Sequence, residues 1–154
     1  MKKVRLATPE DIDEILELGR LIHAENAFMP LSEERIRDYA WRGINQNRAI
    51  MGLIGPVGAI EAAIYLTVGQ FWYTEELHLE ELFAFVRPEF RKSDNAKALV
   101  EFAKTSAQRL DVPLLIGVIA TSRTAAKIRL YERRLGKQSG AYFLLNAEHK
   151  ERAA

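Results

Sequence analysis

The stretch from Leu77 to Ala120 constrains the fold most, because it carries a strand–helix–strand pattern. Leu77 to Val86 is predicted as a strand that ends just before Pro88. Apolar residues at helical spacing follow from Ala96 to Leu110. Leu114 to Ala120 is almost wholly apolar, as expected of a strand buried on both faces of a sheet. Two strands joined by a helix in this way indicate a β-sheet with helices packed against its faces.

The flanking segments complete the pattern. Ala49 to Ile54 and Ala59 to Val68 surround a Gly-Pro-Val-Gly turn and are predicted as a hairpin. Val4 to Ala7 is predicted as a first strand and Ala141 to Leu145 as a last one. With four helical segments between them, the predicted order is β-α-α-β-β-β-α-β-α-β. The sequence thus predicts an α/β (α+β) fold with a mixed central sheet and helices on both faces.

Length and charge place the chain among ordinary globular proteins. It has 154 residues, with 22 basic against 21 acidic side chains, so a dedicated nucleic-acid binder is not expected. We expect one domain over residues 1–146 and a polar tail over 147–154. The charged N-terminus lacks the apolar core of a signal peptide, and no apolar run could span a membrane. A cytoplasmic location without membrane contact is therefore expected.

Two kinds of chemistry are disfavoured by composition. The chain has no cysteine, which excludes disulfides, thiolate metal sites and a cysteine nucleophile. His23, His78 and His149 show no metal-ligand spacing, so no metal is expected.

The junction Val-Arg-Pro-Glu-Phe-Arg-Lys-Ser-Asp-Asn-Ala-Lys-Ala-Leu, residues 86–99, joins the fourth strand to a helix. A helix N-terminus offers unpaired N–H groups and a positive dipole end, and Arg91 and Lys92 add charge. This favours an anion site. Ser93, Asp94 and Asn95 are equally good N-cap residues, so a plain capped turn is the alternative.

The same junction resembles the acyl-CoA pyrophosphate loop of the GNAT superfamily of N-acyltransferases. Five of its residues match the family pattern in place: Val86, Pro88, Arg91, Ala96 and Leu99. The predicted element order also matches, and Lys-Ile-Arg-Leu-Tyr-Glu-Arg-Arg-Leu-Gly (127–136) resembles the family's Leu-Tyr-Glu-x-x-Gly helix end with one extra residue.

The resemblance implies an acetyl-CoA co-substrate held by the loop. The residues it implies as cofactor contacts are Phe85, Val86, Arg91, Lys92, Ser93, Asp94, Asn95, Ala96 and Lys97. Asp94 stands where the family usually has glycine. Its carboxylate would repel a pyrophosphate unless it turns away, by roughly 1 kcal/mol at 4 Å in water.

In the family, an amine attacks the thioester directly, which requires a base for the amine and an acid for the departing thiolate. Tyr131 lies on the Leu-Tyr motif and is the predicted acid. Glu80 and Glu81 on the fourth strand are the candidate bases. Glu81 is expected to share a face with Phe83 and Phe85, so only one of the two carboxylates should face the site.

Other side chains have weaker functional readings. His78 is a further candidate base, and the aromatic residues Trp41, Phe71, Trp72 and Tyr73 are candidate walls of a substrate pocket. A basic stripe on the last helix could meet a CoA phosphate or simply be a solvated face.

The resemblance predicts an N-acetyltransferase that acts on a small-molecule or peptide amine, with a homodimer possible. The alternative is a GNAT-fold CoA-binding or interaction module with weak or no catalysis. A third, weaker alternative is a nucleic-acid-associated accessory protein.

Overall fold

The computed structural model of the chain describes residues 1–120 and 123–145. The strands are β1 (Arg5–Leu6), β2 (Ala49–Ile54), β3 (Ala62–Gln70), β4 (Leu77–Val86) and β5 (Leu114–Leu115). The α-helices are α1 (Ile12–Asn26), α2 (Glu33–Ile44), α3 (Asn95–Leu110) and α4 (Thr124–Leu135), and short 3-10 turns cover Pro9–Asp11 and Pro88–Phe90.

The five strands form one mixed sheet in the order β1-β2-β3-β4-β5. Neighbouring strands are antiparallel from β1 to β4. β5 runs parallel to β4, because the connecting helix α3 carries the chain back to the end of the sheet where β4 begins. The order of elements from β1 to α4 matches the predicted order.

Helices cover both faces of this sheet. On one face, α1 and α2 pack on β2 and β3 through a core that includes Leu18, Ala40, Leu53 and Tyr65. On the other face, α3 packs through a second core that includes Leu99 and Ala103. The predicted α/β class with helices on both faces is therefore confirmed.

Two predicted strands differ from the structure. The strand predicted over Leu114 to Ala120 keeps only two residues, because β5 pairs with β4 only at Leu79 and Glu80. Ala141 to Leu145 forms no strand, and Phe143 is 94% exposed. Because β5 is short, it does not provide this segment with a row of backbone hydrogen-bond partners, and apolar composition alone does not create a strand. The predicted tail, residues 147–154, lies outside the described residues.

A buried ion pair fixes the first connection. Asp11 is 0% exposed, and its carboxylate accepts hydrogen bonds from both terminal nitrogens of the Arg5 guanidinium, at 2.8 Å and 2.7 Å. It also accepts from the backbone N–H of Thr8, which caps the 3-10 turn Pro9–Asp11 ahead of α1. The contact joins β1 to the first helical turn.

A β-bulge interrupts β4 at Leu82. Tyr65 of β3 is opposite Phe83, whereas the next residue, Leu66, is opposite Glu81. Leu82 is therefore the extra residue, and every side chain before it changes face relative to a regular strand. Glu81 lies on the α3 face with Leu66, and does not share a face with Phe83 as regular alternation predicted.

Close packing at Gly52 gives a test of the α3-face core. A Cβ at this position would lie 2.8 Å from the Phe102 ring and 2.8 Å from the Val4 side chain. We expect Gly52→Ala to destabilise the fold by about 1–3 kcal/mol, since overpacking forces its neighbours to move. Thermal unfolding followed by circular dichroism should show a melting temperature lower by several degrees.

Gly140→Ala is the matched control for this substitution. A Cβ at Gly140 meets no atom within 4 Å, so its melting temperature should stay close to that of the wild type. Equal melting temperatures for the two variants would contradict the packing described for β2.

Candidate active site between strand β4 and helices α3 and α4

A cavity opens on the α3 face of the sheet, where β4 separates from the chain that follows β5. The residues that line it include Phe85, Val86, Arg91, Ala96, Lys127 and Tyr131. They come from the end of β4, the loop before α3 and the middle of α4. The segment that most resembled an acyl-CoA loop and the predicted acid thus border one cavity.

Tyr131 and Glu81 meet beside this cavity. The Tyr131 hydroxyl donates a hydrogen bond of 3.3 Å to Oε2 of Glu81, across 50 positions of sequence. The backbone N–H of Gly117 and the Lys127 ammonium both favour the charged form of this carboxyl group and so lower its pKa. The bulge at Leu82 makes the contact possible, since it turns Glu81 toward α4.

Burial controls the protonation of this group. It raises the pKa of Glu81 to about 7, and the hydrogen bond from Tyr131 and the nearby Lys127 only partly oppose the rise. Burial and the adjacent carboxylate together raise the pKa of Tyr131, so the phenol keeps its proton at neutral pH. Burial lowers the pKa of Lys127 against the attraction of Glu81. A carboxyl that titrates near neutrality is suited to accept and return a proton.

Glu80 and His78 lie on the opposite face of β4. His78 Nε2 is 3.4 Å from Oε2 of Glu80, and the His78 ring is buried and stacked on Phe71 at 4.4 Å. Neither side chain borders the cavity that holds Tyr131. Of the two candidate bases, the structure brings only Glu81 to the predicted acid.

The loop before α3 has no left-handed residue. Asp94, which replaces the usual glycine, has φ −83° and ψ 9°, a conformation open to any L-residue. Its side chain does not cap the helix and instead accepts a 2.7 Å hydrogen bond from Lys97. That neighbour lowers the pKa of Asp94. The carboxylate is thus compensated one turn along the helix.

Ser93 and Asn95 hold the loop in place. The Ser93 hydroxyl donates to the Phe90 carbonyl at 2.6 Å and accepts from the Asn95 N–H at 3.2 Å. The Asn95 side chain is buried and donates to Glu61 at 2.9 Å, and Lys2 also pairs with Glu61. These two predicted cofactor contacts therefore have structural partners of their own.

The first turn of α3 keeps amide donors available. In α3, the first backbone hydrogen bond of the helix runs from the Ala98 N–H to the Asp94 carbonyl, at 3.0 Å. Among the described residues, the N–H groups of Ala96 and Lys97 have no backbone acceptor. With the dipole of a 16-residue helix behind them, these donors can hold an anion. Lys92 is exposed beside them.

Arg91 is fixed at the mouth of the cavity. Its Nε donates to the Val86 carbonyl at 3.1 Å, and its terminal nitrogen donates to Oε1 of Glu25 at 2.7 Å. The guanidinium also lies 5.5 Å from the centroid of the Phe85 ring. Glu25, at the end of α1, was not predicted as a site residue, because its approach depends on how α1 crosses the sheet.

Lys127 and Gly117 were also missed. The sequence contained a hint of Lys127, because this residue belongs to the predicted basic stripe on the last helix. Its approach to Glu81 depends on the tertiary fold. The sequence contained no hint of Gly117, because its contact is made by the backbone. Phe71, Trp72 and Tyr73 lie at the tip of the β3–β4 hairpin, where Trp72 is 95% exposed, and they do not line this cavity.

Residues 1–120 and 123–145 contain neither a metal-binding cluster nor a membrane-spanning helix. No group of three or more His, Asp or Glu side chains there could hold a metal ion. No helix in that part of the chain combines the length and apolar character required to cross a bilayer.

Comparisons of the sequence with known proteins found no match. No protein-family model matches the chain. No curated protein matches its sequence either.

Solved structures do match over almost the whole chain. A predicted acetyltransferase from Clostridium acetobutylicum, solved with acetyl-CoA, superposes with a TM-score of 0.71 at 14% identity, covering 97% of this chain and 99% of that one. A ribosomal-protein-alanine N-acetyltransferase from Brucella melitensis gives 0.71 at 14% identity, covering 95% and 99%. An aminoglycoside acetyltransferase from an uncultured soil metagenomic sample gives 0.68 at 14% identity, covering 94% and 95%.

The chain therefore has the fold of GNAT-type acetyltransferases, as the junction at residues 86–99 predicted. At these identities the likeness establishes the fold alone. The roles of individual side chains rest on the geometry described above.

The raised pKa of Glu81 gives a pH-dependent test of its burial. Because its folded pKa of about 7 exceeds its ordinary value of 4.5, protonated Glu81 favours the folded state at low pH, and this contribution is lost as pH rises through 7. Glu81→Gln, which is always neutral, should therefore gain melting temperature relative to the wild type between pH 5 and pH 8, by a few degrees.

Glu75→Gln is the control for removing one carboxylate, since Glu75 lies in the exposed turn before β4. Differential scanning calorimetry of the three proteins at pH 5 and pH 8 makes the comparison. A Glu81→Gln difference that is the same at both pH values would contradict the environment assigned to this carboxyl.

Proposed function

We propose that this protein is an acyl-CoA-dependent N-acyltransferase that transfers an acetyl group from acetyl-CoA to an amine. One observation carries the proposal: Tyr131, which is hydrogen-bonded to Glu81, lines the cavity that begins under the open amide donors of α3. Fold and neighbours support acetyl transfer in general, and one neighbour was solved with acetyl-CoA.

The cavity suits a CoA thioester in shape and charge. The pyrophosphate would meet the Ala96 and Lys97 amides, with Lys92 and Arg91 nearby to offset its charge. The apolar side chains of Val86 and Phe85 then line the way toward Tyr131. The acyl end of the co-substrate would then lie next to Tyr131 and its half-buried partner Glu81.

The proposed reaction is a direct transfer. The amine nitrogen forms a bond to the thioester carbon, and the C–S bond breaks to release CoA. Glu81, with a pKa near neutrality, takes the proton that the attacking amine must lose. Tyr131 donates its proton to the leaving sulfur. The proton on Glu81 then passes along the Tyr131–Glu81 hydrogen bond and restores the phenol.

The strand β4 itself supplies the remaining requirement. Since β5 pairs with it only at Leu79 and Glu80, the edge of β4 beyond Glu80 keeps backbone N–H groups that are not used by a neighbouring strand in the described chain. Such a group can stabilise the negative charge on the thioester oxygen during attack.

The first test is binding and turnover. Isothermal titration should detect binding of acetyl-CoA or CoA with a dissociation constant below hundreds of micromolar. An accepted amine should cause release of CoA from acetyl-CoA. Removing the phenol in Tyr131→Phe should lower kcat by about 100-fold, within the usual range for a general acid, while CoA binding changes little.

Tyr142→Phe is the matched control, because Tyr142 is exposed and does not line the cavity that Tyr131 lines. It should keep full activity. An unchanged kcat in Tyr131→Phe, at a pH where the wild type is active, would remove Tyr131 from the mechanism.

Asp94 gives a separate test of the phosphate loop. Asp94→Asn removes one negative charge beside the proposed pyrophosphate position and should tighten CoA binding by about two- to fivefold at low salt, the range of a solvent-screened charge. Asp111→Asn, at the far end of α3, is the matched control, since asparagine also tolerates its φ of 54°. Equal affinities for the two variants would place the pyrophosphate elsewhere.

A second candidate function is a CoA-binding or interaction module with little catalysis. The pairing of Arg91 with Glu25 favours it, because that loop cation is already engaged. The Tyr131→Phe result separates the two: loss of transfer with retained CoA binding supports the enzyme. A cytoplasmic location and a homodimer remain predictions of the sequence.

A further inference from the structure

A second cavity of about 370 Å³ lies on the opposite face of the sheet, between α1, α2 and the strands β3 and β4. Its walls include Ile15, Ile22, Ile36, Tyr39, Tyr65 and Phe83. The volume falls in the range of small-molecule sites and is more than twice the roughly 150 Å³ of a cavity that holds benzene.

The walls of this cavity are apolar and aromatic. Tyr65 lies between two other rings, with centroids 5.8 Å from Tyr39 and 5.9 Å from Phe83. No aspartate or glutamate is among the described residues that line it. Its permanently charged lining residue is Arg35, whose guanidinium lies 5.6 Å from the Tyr39 ring centroid. A polycation would find no counter-charge on these walls.

The two cavities adjoin along β4. Leu82 and Phe83 line the second cavity, and the next residues, from Ala84 to Val86, line the first. On α1, Ile22 borders the second cavity and Glu25, three residues later, borders the first. Because β5 ends its pairing at Glu80, no strand separates the two faces at this edge in the described chain.

We propose that the second cavity binds the apolar body of the acceptor, and that the acceptor is an arylalkylamine or a similarly bulky apolar primary amine. This inference rests on the proposed acyl transfer. The ring system packs among Tyr39, Tyr65 and Phe83. The amine points away from the like charge of Arg35 and toward the first cavity, which Glu25 lines and where Tyr131 is hydrogen-bonded to Glu81.

A panel of acceptors tests the inference with the full-length protein and acetyl-CoA. It contains 2-phenylethylamine, the aminoglycoside kanamycin and a peptide with an N-terminal alanine, and CoA release is measured. We expect kcat/KM for 2-phenylethylamine to exceed the other two by about tenfold or more, as a fitted apolar pocket provides. Transfer to kanamycin or the peptide with none to 2-phenylethylamine would overturn the inference while the acyltransferase stands.

A pair of variants locates the amine. Ile22→Phe adds volume inside the cavity, whereas Leu21→Phe makes the same kind of change at the neighbouring exposed position on α1. We expect kcat/KM for 2-phenylethylamine to fall about tenfold or more in Ile22→Phe only. CoA affinity and melting temperature should stay near wild type in both. Equal kinetics in the two variants would overturn the assignment of this cavity.

Calorimetric titration of 2-phenylethylamine without acetyl-CoA keeps the two proposals distinguishable. Saturable binding that Ile22→Phe weakens and Leu21→Phe does not supports binding of the amine in this cavity, and the acceptor panel decides whether the bound amine is acetylated. Absence of any binding, with and without CoA, overturns it. If the amine binds but no acetyl-CoA binding is detected, the proposed function fails and the acceptor role fails with it.

Discussion

The candidate site depends on one irregularity in the sheet, the bulge at Leu82. A regular β4 would place Glu81 with Phe83 on the face covered by α1 and α2. The extra residue reverses this, so that Glu81 lies with Leu66 on the α3 face and reaches Tyr131 of α4. A one-residue change of register thus decides whether the proposed base and the proposed acid meet.

The second constraint is where the parallel pairing ends. β5 stays with β4 for two residues and then leaves, which opens the sheet edge beyond Glu80. One cavity opens on each face at this edge, one with charged groups and one with aromatic rings. Ligands commonly bind where strands diverge at their carboxyl ends. In the proposed reaction, this divergence lets the co-substrate and the acceptor approach one strand from opposite faces.

The loop before α3 shows how a helix N-terminus with open amide donors can form without glycine. The position of Asp94 has an ordinary negative φ, so glycine's conformational freedom is not required there. The charge that Asp94 introduces is taken up by Lys97. Ser93 and Asn95 use their side chains to fix the turn, which leaves the next amides of the helix exposed as donors.

Much of the fold was readable from the sequence, because hydrophobic period and turn residues report local structure. The hairpin before Gln70, the helix α3 and the Val-Arg-Pro junction all carried clear local signals. The same reasoning overextended the strands at Leu114 to Ala120 and at Ala141 to Leu145. An apolar run shows that a segment can join a sheet, and only a partner strand decides whether it does.

The sequence by itself determined the fold class, the place of the loop and the candidate acid, since each is written in contiguous residues. Only the tertiary structure decided between Glu80 and Glu81, because a bulge is not visible in an apolar pattern. It also decided that Asp94 turns to Lys97 and that Glu25 reaches Arg91. Those outcomes arise from contacts between segments distant in sequence or from side-chain direction, which no local pattern specifies.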